Sequence, residues 1–163
     1  MCAYTNYSVM ALPMNIAKMV HGEHPYMDEF PEAASQSFVK GDLVCLASGY
    51  LTKCGSDPAA VLGVALADAH NGSAGAYMIP VLVLTTHMVL TMQVYHGTPS
   101  SSVIAAADLG TAYGIVDAGS GVWKVDKTDT SNTRVKVVTF LEPVGTAAGK
   151  VGVVFLPANL QMP

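Results

Sequence analysis

The chain of 163 residues contains few charged side chains. Asp, Glu, Lys and Arg make up 12% of it, about half of the roughly 25% that is usual for soluble proteins. Hydrophobic residues make up 51%, which excludes a chain that is disordered throughout. The shortage of charge also disfavours a lone, highly soluble monomer, because apolar surface is left to be covered by other copies or by a partner.

Positive charge is in short supply as well. Eight Lys and Arg residues against twelve Asp and Glu give a net charge of -4, so no long-range field draws the chain to phosphate backbones, and nucleic-acid binding is not expected. The N-terminus has no basic residue before Lys18 and lacks the pattern of a secretory signal.

Residues 77–95 have no Asp, Glu, Lys or Arg, but Pro80 and several polar residues interrupt them. They predict two buried strands joined near Thr85 rather than a membrane span.

The three cysteines fit neither a zinc spacing nor a CxxC redox motif. A hairpin predicted over residues 43–54 sets Cys45 opposite Thr52 and Cys54 opposite Leu43. The two cysteines are then diagonal on one face, about 7 to 8 Å apart rather than the roughly 5.5 to 6 Å between Cα atoms that is usual for a disulfide. Free thiols are therefore predicted.

Motifs that would indicate catalysis or a cofactor are missing. The chain has no GxSxG elbow, no P-loop and no GxGxxG after a strand. The dense His21–His24 cluster lacks metal-ligand spacing, and residues 126–132 lack the glycine and glutamate of a calcium loop. Between Pro58 and Ala107 only Asp68 is charged, so no second carboxylate is present to share a proton. No enzyme activity, no cofactor and no metal are expected.

Residues 1–37 show neither sustained alternation nor helical periodicity, and His24-Pro25 and Phe30-Pro31 favour extended backbone. This segment is predicted to be an extended N-terminal arm. Its apolar residues are too many for a solvated tail, so we expect it to lie along its own surface, a neighbour's or another protein's. The candidate contact residues in the arm are Met19, His24, Tyr26 and Phe30.

Residues 38–163 consist of short apolar runs separated by turn residues, a pattern typical of an all-β domain. We predict a compact antiparallel sandwich or barrel of about eight or nine short strands, with one short helix from Ser101 or Ser102 to Leu109. The predicted strands are 43–47, 50–54, 61–68, 77–84, 88–95, 112–117, 121–126, 134–141 and 150–156.

The predicted strands differ in which faces are apolar. The last ones alternate: Trp123, Val125, Val135, Val137, Val151, Val153 and Phe155 share one face, with charged residues on the other. Trp123 on such a strand is read as a core residue. Strands between residues 61 and 95 are apolar on both faces, so their second face must be covered by another sheet or another subunit.

Three segments in order, covering most of residues 37–156, carry a family resemblance. The first is SFVKGDLV at residues 37–44 leading to VLGVALADA at 61–69. The second is GVWKVD at 121–126 with TDTSN at 128–132, and the third is VGVVFL at 151–156. The chain resembles the capsid decoration, or cement, proteins of tailed bacteriophages.

The resemblance implies a small, non-enzymatic β-rich protein on the outer surface of the virion capsid, made in the host cytoplasm. It implies that the protein binds the head after expansion and stabilises it by bridging major capsid protein subunits, together with copies of itself as a dimer or trimer. Residues 1–36 share no motif with the family, so the target of the arm stays open.

Two other functions are compatible with the sequence. One is another virion component, a head-fibre or tail domain with a ligand- or glycan-binding face near Trp123. The other is a small β-barrel enzyme or carrier domain, which would need a compact pocket joining His87 or His96 to a carboxylate.

Overall fold

The computed structural model describes residues 16–19, 26–98 and 101–162, and of residues 16–19 it describes only the strand. The described chain is all-β, as predicted: 43% of it is strand and no helix reaches seven residues. Its strands are β1 Ile16–Met19, β2 Met27–Pro31, β3 Leu43–Ala47, β4 Tyr50–Lys53, β5 Gly63–Ala65, β6 Met78–Val83, β7 Met88–Tyr95, β8 Ala112–Asp117, β9 Trp123–Asp126, β10 Val135–Phe140 and β11 Lys150–Phe155.

Five strands close into a barrel in the order β7-β11-β10-β8-β9. Closure comes from a parallel pairing of β9 with the C-terminal half of β7, where Val94 is opposite Val125. β1 pairs with the N-terminal half of β7, with Met19 opposite Met88. The alternating residues predicted to share a face fill the barrel: Trp123, Val125, Val135, Val137, Val151, Val153 and Phe155 are all at most 2% exposed.

The second sheet has the strand order β2-β6-β5-β3-β4. A parallel bridge between Glu32 and Leu51 brings its two outer strands towards each other, so the sheet curls. Leu43 and Val64 on one face join the core of the barrel. The other face encloses a second apolar cluster: Phe38, Val44, Leu51, Leu62, Ala65, Ile79, Val81 and Val83. Both faces of the strongly apolar strands are therefore covered within one chain.

The extent of the arm needs correction, because part of it belongs to the second sheet. Met27–Pro31 forms β2 and pairs antiparallel with β6, with Phe30 opposite Ile79. The backbone N–H of Ala33 then donates to Leu51, which continues the attachment past the strand. The sequence pattern does not predict β2, because its first three residues are exposed and it ends in proline. It therefore shows no alternation of buried and exposed residues.

The predicted helix from Ser101 or Ser102 to Leu109 is wrong: residues 102–105 are not helical, and the 3-10 turn that follows them, Ala106–Asp108, has three residues. Val103 instead makes an isolated bridge with Ala147, and Ile104 is buried at 1% exposed. An extended backbone at these residues buries the Ile104 side chain in the barrel core, which a helix starting at Ser101 would not permit.

Candidate interaction surface

Of the four residues predicted to make contacts, the structure describes the side chains of Tyr26 and Phe30. Tyr26 is 52% exposed, and its hydroxyl donates to Asp28 Oδ2 at 2.8 Å. Phe30, in β2, is partly buried and packs against the second apolar cluster, so it contributes to the fold. Met19 is in β1, where only its backbone is described, and His24 lies outside the described residues.

Four exposed residues with large side chains lie in or beside the second sheet, and we call them together the aromatic surface: Tyr50, His70, Tyr77 and Met78. Tyr77 and Met78 are 44% and 50% exposed, and Tyr50 is 38% exposed. The ring of His70 stacks on that of Tyr77, with centroids 4.1 Å apart and planes 8° from parallel. Tyrosine and methionine contribute large contact areas at protein interfaces, so this surface is suited to binding another protein.

A buried carboxylate beneath the aromatic surface positions the loop that carries it. Glu32 is only 1% exposed. Its carboxylate accepts hydrogen bonds from the backbone N–H groups of His70 and Asn71, each at 3.0 Å. The Glu32 backbone N–H donates to Tyr77, and its carbonyl accepts from Gly75. No local pattern indicates this role, because Glu32 lies 38 residues before His70.

A second group of exposed apolar side chains belongs to the barrel, and we call it the aliphatic surface: Leu109, Val138, Leu141 and Val144. They are 54%, 39%, 45% and 54% exposed. Between Lys136 and Lys150 the chain has one charged residue, Glu142, whose carboxylate accepts from the Lys150 backbone at 2.8 Å. The region thus offers apolar contact area with little charge to desolvate.

The 3-10 turn that carries Leu109 is held by a buried polar network. Asp108, 2% exposed, accepts hydrogen bonds from the Tyr113 hydroxyl and from Lys127 Nζ, both at 2.8 Å. Burial and the Asp108 carboxylate raise the pKa of Tyr113 to about 12. The backbone N–H of Gly110 also donates to Val137 of β10, which fixes Leu109 beside that strand.

A pocket of about 260 Å³ opens at the seam between β7 and β9. Among the described residues its polar lining comprises Tyr95, His96, Ser102 and Lys124, with no carboxylate. The Ser102 hydroxyl accepts a hydrogen bond from the His96 backbone N–H and donates one to the His96 carbonyl. The hydrogen-bonding capacity of this hydroxyl is therefore used by the backbone. The pocket does not join His96 to a carboxylate as the enzyme interpretation requires.

Trp123 is buried in the barrel at 2% exposed, which confirms its assignment to the core. It therefore offers no stacking platform for a glycan. In the described part of the chain, no three His, Cys, Asp or Glu side chains are placed to hold a metal ion. No helix there is long and apolar enough to cross a bilayer.

The two cysteines of the β3–β4 hairpin have the predicted register. Cys45 is opposite Thr52, the Cys54 N–H donates to the Leu43 carbonyl at 2.9 Å, and both thiols are free. A hydrogen bond from the Cys54 thiol lowers the pKa of Cys45 to about 6. That same contact and burial raise the pKa of Cys54 above its ordinary value.

Comparison of the chain with protein-family models, with curated proteins and with solved structures finds no match. The likeness to decoration proteins therefore rests on the motifs of the sequence.

Proposed function

We propose that this chain is a non-enzymatic decoration protein of a tailed bacteriophage. It binds the outer surface of the expanded head and stabilises the shell by bridging major capsid protein subunits, together with copies of itself. Its place of action is the virion exterior, after synthesis in the host cytoplasm.

The observation that carries the proposal is the exposure of large apolar side chains in two places on a chain with only 12% charged residues. The cores of both sheets are filled by the chain's own residues, so these side chains are not needed for folding. Exposed apolar groups of this kind mark protein contacts.

Bridging requires two contact surfaces held in a fixed relation, and the two groups of exposed apolar side chains on different sheets support this proposal. The aromatic surface belongs to the second sheet and the aliphatic surface to the barrel. Leu43 and Val64 of the second sheet pack in the barrel core, so the two sheets share one apolar cluster. A load applied between the two contacts is then transmitted through packed side chains.

We assign the aromatic surface to the capsid and the aliphatic surface to contacts between copies. Tyrosine and methionine are enriched in the buried centres of interfaces between different proteins. A nearly uncharged surface suits contact between identical chains, because two copies of net charge -4 meet there without opposing like charges. Met19, His24 and Tyr26 remain candidate contacts of the arm.

The test uses purified protein and both unexpanded and expanded heads of the phage that encodes it. We expect binding to expanded heads, measured by co-sedimentation, and greater resistance of the bound heads to heat. Met78→Lys should weaken head binding by roughly tenfold or more, since a charge must be desolvated in the interface. Leu109→Lys should instead reduce association between copies, measured by analytical ultracentrifugation.

Ser131→Lys is the matched control, because it adds the same charge at an exposed loop residue that belongs to neither surface. It should leave both measurements unchanged. Wild-type protein that never binds expanded heads would refute the proposed function. Equal binding by Met78→Lys and wild-type protein would refute the assignment of the aromatic surface.

A further inference from the structure

The β3–β4 hairpin brings two sulfur atoms together on one face. Cys45 pairs with Thr52, and Cys54 follows β4 with its backbone bonded to Leu43, so the cysteines are diagonal neighbours. Both side chains belong to the apolar core that the two sheets share, with Cys54 buried in it and Cys45 packed against it. The pair is therefore a preformed two-sulfur arrangement held by the sheet rather than by a covalent bond.

The spacing suits a bridging ion better than a disulfide. Diagonal positions are roughly 7 to 8 Å apart, whereas a disulfide needs sulfur atoms about 2.05 Å apart and Cα atoms about 5.5 to 6 Å apart. Metal–sulfur bonds are roughly 2.3 Å long, so an ion between two thiolates spans up to about 4.6 Å between the sulfurs. An ion can thus join the two side chains without the strand movement that a disulfide demands.

The donor set selects the class of ion. Thiolate ligands favour soft cations such as Cu(I). Two neutral oxygens lie near the sulfurs and would be weak ligands of a soft ion. Thr52 Oγ1 is 3.3 Å from Cys45 Sγ, and the Ala60 carbonyl is 4.0 Å from Cys54 Sγ. Among described residues no third His, Cys, Asp or Glu completes the four-ligand shell that a structural zinc ion takes.

The charge near the two cysteines favours a positive ion, and one of the cysteines is accessible to solvent. Cys54 is 3% exposed and Cys45 is half-buried, so access is from the side of Cys45. Asp42 is fully buried, and its Oδ1 has no hydrogen-bond partner. Its charge acts on Cys54, although Lys53 Nζ, 3.0 Å from Asp42 Oδ2, offsets part of it.

We propose that Cys45 and Cys54 form a two-thiolate binding site for a soft monovalent cation of the Cu(I) class. On binding, two metal–sulfur bonds form, protons still held by the thiols pass to solvent, and no electron is transferred. This site does not depend on the proposed function.

The test is an anaerobic titration of the full-length Cys2→Ser chain with Cu(I), in competition with the chromophoric chelator bicinchoninate. We expect one equivalent to bind and the thermal unfolding midpoint to rise, because the ion binds the paired cysteines of the folded hairpin. Cys45→Ser and Cys54→Ser, each in the Cys2→Ser background, should lose this equivalent and the rise in midpoint.

Circular dichroism verifies that each variant is folded, and Cys45→Ala and Cys54→Ala replace any serine variant that is not. The proposal is overturned if Cys2→Ser binds no Cu(I), or if it binds equally well after either hairpin cysteine is replaced. Binding by the wild-type chain that disappears in Cys2→Ser would likewise place the ion elsewhere.

Discussion

Single buried polar residues determine how the surfaces of this protein are presented. Glu32 connects β2 to the loop of the aromatic surface, and Asp108 holds the turn of the aliphatic surface. The residues next to each of them in sequence do not indicate its role. That role depends on which N–H or O–H groups the fold brings to its carboxylate.

Replacing Glu32 tests this role directly. Glu32→Ala should lower the free energy of unfolding by about 3 kcal/mol, because the N–H groups of His70 and Asn71 lose a charged acceptor. Glu32→Gln keeps one acceptor oxygen and should lower the free energy of unfolding by a smaller amount. Urea denaturation measures both, and equal stabilities of Glu32→Ala and the wild type would contradict the prediction.

Asp57 should make stability depend on pH. Burial, and secondarily the charge of Asp129, raise the pKa of Asp57, although the Ile115 N–H donates to its Oδ1 at 2.6 Å. The folded state therefore binds this proton more tightly than the unfolded state. The associated stability is present below the ordinary carboxyl pKa and is lost as pH rises through the raised value.

Asp57→Asn removes this titration while keeping an oxygen acceptor, and Asn tolerates the positive φ of 48° at this position. The free energy of unfolding of the wild type, minus that of Asp57→Asn, should fall as pH rises from 3 to 7. Chemical denaturation at several pH values measures it, and a difference that grows with pH would disprove the direction.

At the scale of strands, most of the β-structure could be predicted from local pattern. The bounds predicted for β3, β7 and β8 agree with the structure because turn residues flank them, and Ser48-Gly49 adopts the positive φ values of a tight hairpin turn. β5 is shorter than predicted: only Gly63–Ala65 pairs as a strand. β2 escaped prediction because its pairing with β6, rather than its own sequence, defines it.

Two truncations separate β2 from the segment before it. Deleting residues 1–36 removes β2 and Glu32 and exposes the second apolar cluster, so that variant should not fold cooperatively. Deleting residues 1–15 leaves β1 and β2 in place and should retain cooperative thermal unfolding, measured by circular dichroism. Cooperative unfolding of the longer deletion would show that β2 is dispensable.

At the scale of the whole molecule, the C-terminal segment adds hydrogen bonds between the two sheets to the apolar core that they share. Asn159 Nδ2 donates to the Thr133 carbonyl beside the barrel, at 3.0 Å. Two residues later, Gln161 Oε1 accepts from the Leu46 N–H, and its Nε2 donates to the Leu46 carbonyl. The two contacts of Gln161 with Leu46 span 115 residues of sequence, and nothing local to either partner indicates them.

Gln161→Ala should lower the free energy of unfolding by roughly 1 to 2 kcal/mol, because both backbone groups of Leu46 lose their partner. The neighbouring change Met162→Ala serves as control; Met162 is 43% exposed, so its replacement should alter stability by less than about 0.5 kcal/mol. Equal effects of the two changes in guanidinium titrations would show that Gln161 does not join the sheets.

The all-β class, the register of the cysteine hairpin and the inward face of the last strands can be predicted from local pattern. Each follows from alternation and turn chemistry, which act over a few residues. Three further features are visible only in the folded chain: β2 completes the second sheet, the chain itself covers both apolar faces, and the exposed apolar side chains fall into two groups on different sheets. Those outcomes depend on pairings and buried hydrogen bonds between residues far apart in sequence, whose partners are fixed only when the whole core packs.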